Sequence, residues 1–371
     1  MSTAGVRLAG PRARPRTRGL VWLVWRQHRA ALWVGLALVA AVAAYIVWQR
    51  TQMVGYMRTH GIEGCADWET SCHGRRIAPR RGTDPITDAF FHLGHAYRTP
   101  LLNTGRLLIA LPAVIGVFVG APLFARELET GTHQVVWTQS VSRTRWLVAK
   151  LALPLTAVLA GTTLLAALYT WWWRAARVQF SDIAWGTAVP FDATGPAAVA
   201  LAPLSFFLGA AAGLLLRRTL PAMVATLGIT VGVQYGLGAL RPHLMTPRTI
   251  VSDATGDFSH TPREVFYTSW RSFTEGFVTR SGEKIPSERC SSALGDADWN
   301  RCLARLGATK RQYEELHPAG HYWPMQWIQA GICLAAAAAL AAFCVWWIRR
   351  RPARKEARAL ERGRTEREGG A

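Results

Sequence analysis

The sequence predicts an all-α polytopic membrane protein with six transmembrane helices, both termini in the cytoplasm and a large last extracellular loop. Three observations predict this fold class. Half of the 371 residues are hydrophobic and only 18% are charged. The hydrophobic residues form six blocks, each close to the roughly 20 residues that a helix needs to cross a bilayer. The net charge of +20 is concentrated in segments that share one side of such a bundle.

Six hydrophobic blocks define the predicted spans, at residues 30–48, 107–124, 151–171, 197–216, 220–240 and 327–348. The first block follows a basic leader and carries a small-residue pattern at 41–44 that is similar to a signal cleavage site. However, the block is longer than a signal core, its leader has 29 residues, and it ends in Tyr45 and Trp48, which suit a membrane interface. We therefore expect the first block to be a retained span.

The distribution of basic residues predicts which side of the membrane each segment faces. With six spans, both termini share a side with the loops 125–150 and 217–219. These segments hold 22 of the 43 basic residues but only 6 of the 23 acidic ones, whereas the other loops are nearly balanced. Because basic segments stay in the cytoplasm, we place this side there, in a multi-pass protein of the cell (plasma) membrane. The lipid bilayer is then the partner of the basic tails, and no nucleic acid is expected.

The predicted domains follow from this sidedness. A cytoplasmic tail occupies 1–29, spans one to five occupy 30–240 with the inner loop at 125–150, and an extracellular loop occupies 241–326. Span six at 327–348 leads into a basic cytoplasmic tail at 349–371. A short helix is predicted at 85–98 in the first outer segment. The last outer loop is predicted to contain an amphipathic helix whose apolar face is formed by Trp299, Cys302, Leu303 and Leu306.

Four of the six cysteines lie in the segments assigned to the outer, oxidising side of the membrane. Two local disulfides are favoured there, Cys65 with Cys72 and Cys290 with Cys302. Cross-pairing and free thiols remain open, since spacing does not fix connectivity. Metal binding by Cys65, Cys72 and His73 is disfavoured because no two-by-two ligand spacing surrounds them.

Catalytic motifs are missing from the sequence. It contains no G-x-x-x-x-G-K-[ST] phosphate loop, no H-E-x-x-H helix and no G-x-S-x-G elbow. His92 and His95 are spaced for one helix face, but a solvated loop helix explains them better than a metal site. We therefore predict that the chain is not an enzyme and carries no cofactor.

The predicted spans themselves contain no Asp, Glu, Lys, Arg or His, and only Gln234 and Gln329 are strongly polar. Ion-driven transporters usually need ionisable relays inside the membrane. A chain that moves cargo without such a relay must receive its energy from outside the membrane. Glycines at spacing four allow helices to approach closely, and the strongest such signal is the run Gly228, Gly232 and Gly236 in span five.

The most informative segment is the inner loop between spans two and three, which reads FARELETGTHQVVWTQSVSRTRWLVAKL at 124–151. Gly131 breaks the helix of span two, Thr132 caps a short helix that ends near Trp137, and Ser142 caps span three. A solvated hairpin is the simplest interpretation. A short helix presented to the cytoplasm by a polar elbow is, however, the shape that a membrane subunit needs to receive a push from a soluble motor.

This loop resembles the cytoplasmic loop of type-2 ABC transporter permeases, in which R-E-x-E-x-G-T precedes a short hydrophobic helix, followed by S-R and a Lys near span three. The matching positions are Arg126, Glu127, Glu129, Gly131, Thr132, Ser142, Arg143 and Lys150. The segments WRQHR at 25–29 and HPAGHYWPMQWIQAGI at 317–332 further resemble actinobacterial permeases of this type. The last outer loop, at 86 residues, is larger than the segment that many family members carry there.

The resemblance implies the transmembrane subunit of an ATP-driven ABC exporter, in which two six-span subunits form the translocation pathway. Each short cytoplasmic helix would dock in a groove of a separately encoded ABC ATPase. The second permease subunit would be an identical or a different chain. The residues expected to couple the permease to the ATPase are Glu127, Glu129, Gly131, Thr132, His133, Trp137 and Arg143.

Two alternatives stay open at this point. Residues 20–25 resemble the interfacial helix that precedes span one in these permeases, but a plain continuation of span one explains them equally well. The whole chain is alternatively a non-transporting membrane sensor or scaffold whose outer loop binds a ligand or a partner.

Overall fold

The structure, a computed structural model, describes residues 17–63, 85–130, 143–176, 183, 185–253, 269–290 and 296–368. Six helical segments are long and apolar enough to cross a membrane, which confirms the polytopic fold class. They run through Arg29–Thr59, Asp88–Glu129, Lys150–Ala176, Gly195–Leu216, Thr219–His243 and Ala319–Arg350. The side on which the termini lie stays a prediction.

The first two spans are longer than the hydrophobic blocks that predicted them. Helix α1 is Thr17–Thr59, and the second span begins with α2 at Pro85–Leu93 and a π turn at Gly94–Arg98. Much of the predicted loop 49–106 is therefore helical, because Met53 and Met57, four residues apart, bury one face of α1. The helix predicted at 85–98 is confirmed, and α1 passes through 20–25 as a plain continuation of span one.

The second span contains a wide turn in its middle. Helix α3 (Thr99–Ile115) is followed by a π turn at Gly116–Gly120 and by α4 (Ala121–Glu129). Pro112 lies inside α3, where its missing N–H and bulky ring disturb the helical hydrogen bonds. The wide turn follows about one helical turn later, as is common where the ladder of hydrogen bonds is interrupted.

Helix α7 is the central helix of the bundle. It is Gly195–Leu216, and it follows α5 (Arg143–Ala176) and the short α6 (Ala188–Ala193). Because α7 is apolar on all sides and rich in Ala and Gly, α3, α4, α5 and the last span pack closely around it. After a tight turn at Arg217, α8 (Thr219–Leu240) lies at the periphery, with Leu220 and Tyr235 largely exposed. This face suits contact with lipid.

The segment between the last two spans adds to the mostly helical fold a four-stranded antiparallel sheet that the sequence did not predict. The strands are β1 (Arg248–Val251), β2 (Trp270–Thr279), β3 (Lys284–Pro286) and β4 (Ala308–His317), in the order β1-β4-β2-β3. β2 and β3 form a hairpin whose turn contains Gly282 at φ +89°. This positive φ favours glycine, and the Ser-Gly pair was the sequence signal for the hairpin.

The predicted amphipathic helix is present as α9 (Asp296–Arg305), between β3 and β4. The Trp299 ring meets the Phe277 ring of β2 edge-on, at 6.1 Å between centroids, and Leu306 follows directly after the helix. Cys302 of α9 forms a disulfide with Cys290, which is the local pairing that the sequence favoured. The last span continues as α10 (Tyr322–Glu368). We call the sheet, α9 and this disulfide the outer unit.

Candidate functional site

The candidate site is the end of the second span, where the inner loop leaves α4. Glu127 and Glu129 lie in the last turn of α4. Arg143 is the first residue of α5, on the other side of the loop. The other predicted coupling residues, Gly131, Thr132, His133 and Trp137, lie outside the described residues.

An ion pair joins the two ends of the inner loop. Lys150 Nζ of α5 lies 2.5 Å from Glu127 Oε1 of α4, and only 3% of the lysine side chain is exposed, against 18% for Glu127. The ammonium group also lies 5.4 Å from the centre of the Phe124 ring, within reach of a cation–π contact. A buried ammonium group is costly unless an acid pairs with it. The position of Lys150 is therefore tied to that of Glu127.

A second carboxylate of α4 holds the start of the fifth span. Glu129 Oε2 accepts hydrogen bonds from the Thr219 N–H at 3.0 Å and from the Thr219 hydroxyl at 2.7 Å. Thr219 is the first residue of α8, where backbone N–H groups lack helical partners and the helix dipole favours a negative charge. Glu129 thus caps α8 from a different span.

Together, the two acids connect three spans at the exit of one loop. Any displacement of the last turn of α4 acts on the start of α5 through Lys150 and on the start of α8 through Thr219. This arrangement suits the transmission of force from the loop to three spans. Across the described segments, no group of three or more His, Cys, Asp or Glu residues is placed to hold a metal ion.

Glycines hold the second span close to the fourth, next to the same site. A Cβ on Gly209 of α7 would lie 2.2 Å from the Gly116 carbonyl oxygen, and one on Gly120 would lie 2.4 Å from the Phe206 carbonyl oxygen. By contrast, a Cβ on any of the predicted packing residues Gly228, Gly232 and Gly236 would meet nothing within 4 Å. The close helix contact within this chain is therefore made by Gly116, Gly120 and Gly209. The glycines of span five face away from it.

A buried polar network at the opposite end of the bundle was missed by sequence reasoning. Asp192 of α6 pairs with Arg241, which directly follows α8 and is 3% exposed. Gln329 of α10 donates a hydrogen bond to Asp192 Oδ1 at 3.4 Å, and Gln326 accepts one from the Ala197 N–H at 3.0 Å. Asp192 and Arg241 lie outside the predicted spans and were assigned to solvated loops. The sequence signal that could have indicated this ion pair is that each of the two residues places a charge near the end of an apolar block.

The outer unit is attached to the last span through two histidines. His317, at the end of β4, is fully buried, stacks on the Trp270 ring at 5.2 Å, and has its Nδ1 3.2 Å from His321 Nδ1. Burial, and to a smaller extent the neighbouring His321, lower the pKa of His317. A neutral imidazole is thus favoured at this joint.

The remaining predicted residues lie apart from the site. Cys65, Cys72 and His73 fall outside the described residues, so their pairing stays a prediction. His92 in α2 stacks on the Tyr56 ring of α1, 4.8 Å between centroids. This contact packs the first two spans together.

One comparison with known proteins identifies the family. The model of the ABC-2 membrane transporter related family matches residues 36–241, more than half of the chain. The chain belongs to the ABC-2 membrane transporter related family. The matched region of this ABC-2-related protein contains the whole candidate site and nearly all of the first five spans, and it ends at Arg241. No curated protein and no solved structure is similar enough to match the chain.

Proposed function

We propose that this ABC-2-related membrane protein is the transmembrane subunit of an ATP-driven exporter in the cell membrane. In this proposal it forms the translocation pathway with a second permease subunit and is driven by a separately encoded ABC ATPase. The chain itself performs no chemical reaction. The finer resemblance to actinobacterial permeases belongs to the same proposal.

The observation that carries the proposal is the double tie at the end of α4. A helix pushed by a soluble motor moves a membrane bundle only if its anchors are stiff. The Glu127–Lys150 pair closes the base of the inner loop, and Glu129 extends the connection to α8. A force on the loop would therefore move α4, α5 and α8 together, whereas an unanchored hairpin would absorb it.

Two properties of the sequence support this assignment of the energy source. The inner loop lies on the same side as the basic tails, which the positive-inside rule places in the cytoplasm, where ATP is available. The predicted spans lack the ionisable relay that an ion-driven transporter uses. Energy delivered by an ATPase at the loop is consistent with both properties.

The second candidate is a membrane sensor or scaffold without transport activity, and the folded outer unit favours it. A sheet and helix stapled by a disulfide form a surface that can bind a ligand without any motor. The two candidates differ in one requirement, because only the exporter subunit needs an ATPase. A neighbouring gene for a lone ABC-type ATPase is therefore the cheapest supporting observation.

The test is co-purification of the subunit with its cognate ATPase from detergent, together with ATPase rates after reconstitution. In Trp137→Ala, the loss of a single aromatic anchor should cost about 2 kcal/mol or more and release the ATPase. Glu127→Lys should act likewise by reversing the charge at the loop. His92→Ala and His95→Ala, far from the loop in sequence, are the controls and should retain the complex.

Gel filtration must show that each variant is folded before its co-purification with the ATPase is measured. If folded Trp137→Ala and Glu127→Lys both keep the ATPase and full nucleotide turnover, the coupling assignment is wrong. The sensor or scaffold function would then replace it.

A further inference from the structure

A solvent-open cavity of about 570 Å3 lies in the outer unit, beside the Cys290–Cys302 disulfide, and its charged lining residues are exposed. It is formed between the short 3-10 turn Ser287–Arg289 and helix α9. Its described lining residues are Arg289, Asp298, Arg301, Cys302, Arg305 and Leu306. The volume falls within the range of about 300–1000 Å3 that is usual for small-molecule sites.

The described lining is strongly basic. Three of its six residues are arginines, and Asp298 is the one acid among them. Asp298 forms an ion pair with Arg301, which leaves an excess of two positive charges around the cavity. Arg301 and Arg305 are four residues apart on α9, a spacing at which like charges repel and destabilise a helix. The helix dipole favours Arg305 in the last turn, but it does not explain Arg289, which lies on a different element.

The disulfide places Arg289 in the cavity wall. Cys290 is bonded to Cys302 of α9, and Cys302 Sγ lies 3.7 Å from the Arg289 carbonyl oxygen. The turn that carries Arg289 and the helix that carries Arg301 and Arg305 are thus covalently held together. A site assembled from two covalently linked elements loses less conformational entropy when a ligand binds.

We propose that this cavity binds a phosphate group. Guanidinium groups are permanently charged planar donors that bind phosphate oxygens in pairs, and three arginines line this cavity against one acid. The phosphate group belongs either to a small soluble compound or to the headgroup of an anionic phospholipid. The proposal does not depend on the exporter function, since it concerns the outer unit alone.

The experiment uses the full chain in nanodiscs. In the first arm, inorganic pyrophosphate is titrated calorimetrically into discs of phosphatidylcholine. In the second arm, the thermal stability of the protein is compared between phosphatidylcholine discs and discs that also contain phosphatidylglycerol. The variants are Arg289→Gln and Arg305→Gln, which each remove one charge from the wall. Arg280→Gln is the matched control, because Arg280 is an exposed arginine of the same unit that does not line the cavity.

We expect saturable pyrophosphate binding that each cavity variant weakens about tenfold or more, as is typical for the loss of a hydrogen bond to a charged group. Arg280→Gln should bind like the unmodified protein. Stabilisation by phosphatidylglycerol that the cavity variants lose and Arg280→Gln keeps would identify the lipid headgroup as the source. The proposal is overturned if neither probe has an effect, or if the cavity variants respond like Arg280→Gln. Non-reducing peptide mapping of each variant confirms that the disulfide is intact.

Discussion

Removing the charge of Glu127 alone, which breaks its ion pair with the buried Lys150, should destabilise the bundle far more than breaking an exposed ion pair does. Glu127→Gln removes the negative charge but keeps the size of the side chain. It leaves the Lys150 ammonium group, whose side chain is 3% exposed, without the acid that lies 2.5 Å from it. An uncompensated buried charge typically costs about 3–5 kcal/mol. Because Glu127 is partly exposed, we expect the lower end, about 3 kcal/mol.

Two further variants make the prediction specific to the buried charge. Replacing both partners by apolar residues of similar size, Glu127→Leu with Lys150→Met, removes the charges together and should be near neutral. Glu63→Gln breaks the pair between Arg58 and Glu63, whose side chains are 68% and 52% exposed. An exposed pair of this kind contributes about 0–1 kcal/mol, so this control should change little.

Thermal unfolding in one detergent ranks the four purified proteins. It is measured as the loss of the monodisperse peak after heating. Glu127→Gln should unfold several degrees below the others. If it unfolds no earlier than Glu63→Gln, or if the double variant is as unstable as the single one, the buried charge is not what holds α4 to α5. Glu127 and Lys150 would then not transmit force from the inner loop to α5.

Three other predictions address packing, pH and topology. Gly209→Ala should destabilise the bundle by about 1–3 kcal/mol, since its Cβ would lie 2.2 Å from the Gly116 carbonyl oxygen, whereas Gly228→Ala should not; thermal unfolding in detergent distinguishes them. Because the pKa of His317 is lowered in the folded state, the unfolded state binds more protons below its own pKa of about 6.5. The attachment of the outer unit should therefore weaken as pH falls below about 6.5, and hydrogen exchange in β4 measures this weakening. His317→Phe should make the exchange less dependent on pH, although the ionisable groups Arg248 and His321 remain nearby. In intact cells, an engineered cysteine at Ser281 should react with an impermeant thiol reagent and cysteines in either tail should not; labelled tails would reverse the topology.

The spans were predictable because the requirement behind them is local. A helix that crosses a bilayer must be apolar for about 20 residues, and each block in the sequence meets this requirement on its own. The ends of the helices were less predictable, since they depend on contacts between spans. α1 continues to Thr59 because Met53 and Met57 are buried against neighbouring helices. The local sequence does not indicate which helices those are.

Glycine spacing illustrates the same limit. Close approach needs two complementary surfaces, and a sequence pattern describes only one of them. Gly228, Gly232 and Gly236 of α8 have the regular spacing, but they contact no other described helix of the chain. Gly209 of the fourth span packs against Gly116 of the second. The outer sheet was missed for a related reason. Strand β4, ATKRQYEELH, is polar and lacks alternation, and its pairing with β1 and β2 is long-range.

Polar contacts that the sequence did not predict hold both ends of α8. Its first residue, Thr219, is bound by Glu129 beside the inner loop, and Arg241, which directly follows its last turn, pairs with Asp192 at the other end. A helix of 22 residues spans about 33 Å, close to the thickness of the hydrocarbon core. Between these two ends α8 packs against α4 and α7, and Gln234 Nε2 donates a hydrogen bond to the Ile109 carbonyl oxygen at 2.7 Å, so α8 is tied to the second span along its length as well as at its tips. In the proposed exporter, α8 is therefore the element through which a shift of the inner loop reaches the buried network that Asp192, Arg241 and Gln329 form at the far side of the membrane.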